Sequence, residues 1–165
     1  MNARANALAT RLEQGARSLT ELARNLTDLE WRTPLARDGR PIGVVIHHVA
    51  SVYPIEIQLA ETLAAGKPVT GVTMEDVHAM NAAHAKDNAK VGKDETIDLL
   101  RANAARAAAA IRALSDAELD RAAPASLYGD APVSCQFMLE DHAVRHSYHH
   151  LARIRATLAT LAAAA

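Results

Sequence analysis

The chain has 165 residues, with 18 Lys and Arg against 19 Asp and Glu; half of it is hydrophobic and only 3% aromatic. That length suits one domain, residues 1–165, with a core of its own, and a formal charge of −1 with scattered basic residues argues against a nucleic-acid binder. A single cysteine, Cys135, excludes a disulfide framework and fits a reducing compartment.

The opening stretch MNARANALATRLEQ is polar where a signal peptide needs an apolar centre, and no apolar run stands out as membrane-spanning. The expectation is a soluble, cytoplasmic protein with a small-molecule substrate and no membrane partner. Ala, Leu, Arg and Glu dominate, while β-branched and aromatic residues are thin, so the fold should be all-α.

Leu8, Leu12, Leu19, Leu22 and Leu26 recur at helical spacing and predict a first helix over 3–26, weakened at Gly15. Thr27-x-x-Glu30 fits a capping box opening a short turn that ends at Trp31. Pro34 and Asp38-Gly39 make a loop, and Pro41 suits the first turn of a second helix over 41–64, ended by Gly66 and Pro68. Pro54 lies inside that helix and predicts a kink.

A shorter helix should start at the cap Thr73 and run to about Lys90, with Gly92 as an interruption. Residues 94–114 contain RANAARAAAAIRAL, which is low in complexity and strongly helical. Ser115-x-x-Glu118 is another capping box. A loop rich in Pro, Gly and Asp, 122–133, leads to Ser134 as cap of a last helix that runs to 162. Four long helices, with the short one between the second and third, make a four-helix bundle without a sheet.

The last helix carries HAVRHSYHHLARI, residues 142–154, four of the eight histidines in the chain. Two histidines at i and i+4 have β-carbons roughly 5–6 Å apart, close enough for both rings to reach one ion at Zn–N distances of about 2.0–2.1 Å. His142 and His150 cannot share an ion, because eight helical residues separate them by roughly 12 Å. A third ligand must come from another helix.

Facing selects the pair. Phe137, Val144, Leu151, Ile154, Leu158 and Leu161 define the expected core stripe; His150 lies roughly 80° and His146 roughly 120° from its centre, with His142 and His149 nearly opposite. Ala143 and Ser147 lie beside the pair and should leave room for a ligand. On the second helix, Val45, Val49, Val52, Leu59 and Leu63 place His48 within roughly 45° of the buried centre and His47 near the opposite side. His48 is the expected third ligand. Glu56 falls on the same buried face, where a carboxylate requires a partner. His78 and His84 are expected to be solvated, and Cys135 to be inert.

IGVVIHHVASVYPIEI, followed far downstream by HSYHHLARI, resembles the DinB-like superfamily of bacterial metal-binding four-helix bundles. LTDLEWRTP and LSDAELDR resemble the short turns that follow helices in that family. The resemblance implies a metal triad of His48, His146 and His150, the set that facing selects. Arg153 stands where relatives often carry Gln. Family members are often dimers, and the apolar tail LATLAAAA offers a surface for a homodimer.

Characterised relatives include transferases using bacillithiol, mycothiol or glutathione, and a thiol-dependent maleylpyruvate isomerase. The expectation is therefore a divalent metal, zinc or nickel foremost, that acidifies a low-molecular-weight thiol for attack on an electrophile. Tyr53, Asn81 and Tyr148 are candidate pocket residues. Hydrolysis of a small amide or ester, with Glu56 as base, uses the same site. A non-catalytic metal-binding or oligomerising bundle is the third reading.

Overall fold

The structure is a computed structural model and describes residues 2–164. The four long helices are α1 (Ala3–Asn25), α3 (Ile42–Ala64), α5 (Lys93–Ala113) and α8 (Arg145–Ala164). Helix α5 packs on both α1 and α3, and α8 closes the other side against the same two, giving the spatial order α1, α5, α3, α8. Short helices α2 (Asp28–Arg32) and α6 (Asp116–Asp120) open at the two expected capping boxes. The intermediate helix α4 (Met74–Asp87) also starts on a capping box, at Thr73, and has no buried residue. It lies on the outside of the bundle.

Helix α3 is the central element. By length and composition it could cross a membrane, with a mean hydropathy of 1.3 over its best window, which corrects the expectation that no stretch qualifies. Within the bundle 67% of that window is buried, as a core helix requires. The helix runs through Pro54. A proline has no N–H for the carbonyl four residues back, and here the freed Ala50 oxygen accepts a hydrogen bond from Asn103 Nδ2 on α5 at 2.9 Å. The cost of the proline is met by a side chain from a neighbouring helix. Asn103→Ala should therefore strand a buried carbonyl and lower stability by about 1–3 kcal/mol, as read by urea denaturation.

Residues 122–133 are not the irregular loop expected. They form an antiparallel hairpin, β1 (Ala122–Ala125) with β2 (Ala131–Ser134), paired from Ala122↔Ser134 to Ala125↔Ala131. Val69 adds a parallel bridge to Ala125, and Ser126 Oγ donates to the Val72 carbonyl at 2.7 Å. These bonds anchor the segment leading into α4, which lies along α3.

The last helix is not uniform. It begins as α7 (Cys135–Met138), passes through a π-helical stretch, Leu139–Val144, and continues as α8. Hydrogen bonds from i to i+5 take an extra residue into the turn, so the facing on either side is out of phase. Phe137, expected in the core, is 44% exposed for that reason. Leu161 is equally exposed because α8 outruns the bundle: Thr157 is its last buried residue among those described. Ala143 and Ser147, expected to leave room for a ligand, are buried toward α1. There Gly15 approaches so closely that an added Cβ would lie 3.1 Å from Ser147 Cβ.

Candidate metal centre

Helix α3 presents His48, and α8 presents His146 and His150 one turn apart, as their spacing requires. One ligand atom from each lies within 4.8 Å of the others. His48 and His150 are 5% exposed. Burial, first, and neighbouring positive charge hold the His48 imidazole near a pKa of about 3 and that of His150 near about 2. All the more at neutral pH, these two rings are uncharged, the form that binds metal.

His146 is fixed differently. Its Nδ1 lies 2.5 Å from Glu56 Oε1, and Glu56 is 5% exposed. A carboxylate can only accept, so Nδ1 carries the hydrogen and Nε2 is the nitrogen left for a metal. This is the carboxylate–histidine pairing found behind metal ligands. His150 Nδ1 is buried with no hydrogen-bond partner, and so is Glu56 Oε2. Three imidazoles, one of them oriented by a buried carboxylate, are a donor set that fits a divalent ion of the zinc or nickel kind. Glu56→Gln should weaken metal binding by about 10–100-fold, measured by competition with a chromogenic chelator.

The three histidines open into a cavity of about 560 Å³. Its walls are largely apolar, with Val52, Ile55 and Leu59 from α3, Val77 and Met80 from α4, and Leu127 from the hairpin. Asn81, an expected pocket residue, lines it. Tyr53 and Tyr148 do not. Tyr53 is fully buried below, its hydroxyl bonded to Ser147 Oγ. Tyr148 packs on Gly15 and donates to the Arg11 carbonyl at 2.9 Å, on the α1 side.

Two further histidines are placed otherwise than expected. His142 is half-buried and lines the cavity; its Nε2 donates to the Tyr128 hydroxyl at 2.8 Å, which in turn donates to Asp141 at 2.7 Å. The π-helical stretch brings it inward. His84 is half-buried rather than solvated, its Nε2 lies 2.9 Å from His47 Nδ1, and its ring centroid is 5.5 Å from that of His48. His78 and His149 are exposed, although His149 reaches the cavity rim. Cys135 is buried, and burial raises its thiol to about 11, which leaves it a protonated core residue.

Arg40, which sequence reasoning does not single out, also lines the cavity. The loop before α3 folds tightly: Leu35 N–H donates to the Arg40 carbonyl at 2.8 Å, and Arg37 takes a φ of 65°. Arg40 Nε and Nη2 grip both oxygens of Asp38 at 2.6 and 2.8 Å. Arg153, from α8, reaches the same carboxylate at 3.3 Å. The sequence signal for this group is only the stretch RDGR beside Pro41.

A sequence profile described as the DinB superfamily matches residues 11–154. The chain belongs to the DinB superfamily. Among solved structures, this DinB-superfamily chain is similar to YfiT from Bacillus subtilis, described as a probable metal-dependent hydrolase with an unusual four-helix bundle topology. The TM-score is 0.78 at 20% identity, over 96% of this chain and 87% of YfiT. It is also similar to a putative member of the DinB family from Exiguobacterium sibiricum, with a TM-score of 0.61 at 19% identity, over 98% and 94% of the two chains. At these identities the likeness establishes the four-helix DinB fold. No curated protein sequence matches the chain.

Proposed function

We propose that the chain is a metal-dependent enzyme: His48, His146 and His150 hold one divalent ion, and a low-molecular-weight thiol is transferred to an electrophilic small molecule. The observation that carries this reading is the meeting of the three histidines at a cavity large enough for a small substrate. Three neutral ligands leave an ion its full charge and at least one open position, as in catalytic sites. An ion held there would supply Lewis acidity, drawing down the pKa of whatever thiol or water completes its coordination.

The side chains of the chain divide the remaining work. Glu56 holds the Nδ1 proton of His146 and fixes the ring. The apolar walls from α3 and α4 exclude water and seat the body of the substrate. A thiol, with a free pKa of about 8.5, needs less help from a base than water does, which favours transfer where Glu56 Oε1 is already engaged.

Hydrolysis of a small amide or ester is the second reading. It is favoured by the unpartnered Glu56 Oε2, able to accept a proton, and by the description of YfiT as a probable metal-dependent hydrolase. The test is to give metal-loaded protein an electrophile with and without a panel of bacillithiol, mycothiol and glutathione. Metal-dependent loss of free thiol supports transfer. Thiol-independent turnover of a 4-nitrophenyl ester supports hydrolysis instead, and the absence of both activities contradicts a catalytic role.

A further inference from the structure

Of six buried side-chain polar atoms without a partner among the described residues, four belong to residues that line the cavity: Arg40, Glu56, Asn81 and His150. Unpaired buried polar atoms are costly, and their concentration in residues around one cavity points to a ligand with polar groups of its own. His150 and Glu56 belong with the metal centre. Arg40 Nη1 is different in kind, because it is a permanently charged donor and asks for an anion.

The charges around it support that. Asp38 takes the other face of the Arg40 guanidinium but also receives Arg153, so two positive charges share one carboxylate. The cavity's own carboxylates are committed elsewhere: Asp76 caps α4 through Thr73, Asp141 meets Tyr128 and Arg145, and Glu56 meets His146. None of these bonds reaches Arg40. Arg40 and the three histidines of the triad line the same cavity, so a ligand seated there can meet both.

We infer that Arg40 binds the carboxylate of a small anionic ligand whose apolar body lies along the α3 and α4 walls. The inference deepens the proposed function, resting on the triad as the reacting centre, and names its substrate class: a carboxylate carried either by the thiol or by the electrophile. A planar carboxylate accepts from Nη1 at one oxygen while Asp38 keeps the guanidinium oriented.

Calorimetric titration tests it with two matched pairs of probes, hexanoate against hexanamide and 3-mercaptopropanoate against its amide. Wild type and Arg40→Gln are compared, each zinc-loaded and metal-free. Wild type should prefer the acid by about tenfold or more, and Arg40→Gln should lose that preference while its affinity for the amides stays. A preference in the first pair assigns the carboxylate to the electrophile; in the thiol pair alone, to the thiol. Equal preference in wild type and Arg40→Gln, or none in either pair, overturns the inference. Should Arg40→Gln misfold by circular dichroism, the Arg40 Nε–H resonance of the wild type decides: it moves with hexanoate and not with hexanamide, and a fixed resonance overturns the inference. Failure of the triad reads out separately, as no bound zinc, and the metal-free titrations still test Arg40.

Discussion

His48→Ala, His146→Ala and His150→Ala should each reduce metal affinity by about a thousandfold. A full-strength zinc site contributes about 10–16 kcal/mol, so losing one of three ligands removes several kcal/mol, which is a thousandfold or so in affinity. The fold should survive in each case, because the core built from α1, α3, α5 and α8 does not pass through these side chains. His47→Ala, His142→Ala and His149→Ala should keep their metal. Dialysis against a weak chelator followed by elemental analysis separates the two sets. Loss of metal from His149→Ala with retention in His150→Ala would reverse the assignment on α8.

Acid should weaken the metal-free protein steeply. In the fold, His48 and His150 stay neutral down to about pH 3 and about pH 2, whereas in the unfolded chain both protonate near the ordinary 6.5. Between those limits the unfolded state binds more protons, so stability rises with pH and is lost as pH falls below about 6.5. Each pH unit is worth about 1.4 kcal/mol per such group, on the order of 2 kcal/mol per histidine by pH 5. Burial lowers His47, His84, His142 and His149 in the same direction. Urea midpoints of metal-free protein at pH 7.5 and pH 5 check this, with the drop flattened in a His48→Gln, His150→Gln double variant. Equal midpoints at the two pH values would mean that the histidines are hydrated rather than buried.

The elements that carry the triad were legible because they are long, regular and amphipathic. The facing of α3 puts His48 inside, and that of α8 after residue 145 puts His150 inside with His146 at the edge, as found. Extrapolating one phase through the last helix fails between Met138 and Arg145, where the π-helical turn exposes Phe137 and brings in His142. Nothing local in LEDHAV announces that turn.

The hairpin was hidden by its composition, since AAPA and APVS are short, proline-bearing stretches without β-branched alternation. Glu56 was recognisable as a buried carboxylate, but its partner is set by the packing of α3 against α8, which sequence spacing alone does not give. The roles of Arg40, Asp38 and Arg153 arise where a tight loop meets the middle of α8. Contacts 115 positions apart, as between Arg153 and Asp38, leave no periodic trace.

Three imidazoles that hold one ion and leave it open toward the cavity have a distinct signature in X-ray absorption at the zinc edge of the loaded protein. Three nitrogen neighbours at about 2.0–2.1 Å are expected together with oxygen from solvent, the oxygen giving way to sulfur when a thiol is added. A shell of four imidazoles, with His84 closing the site, or no zinc bound at all, would contradict that arrangement.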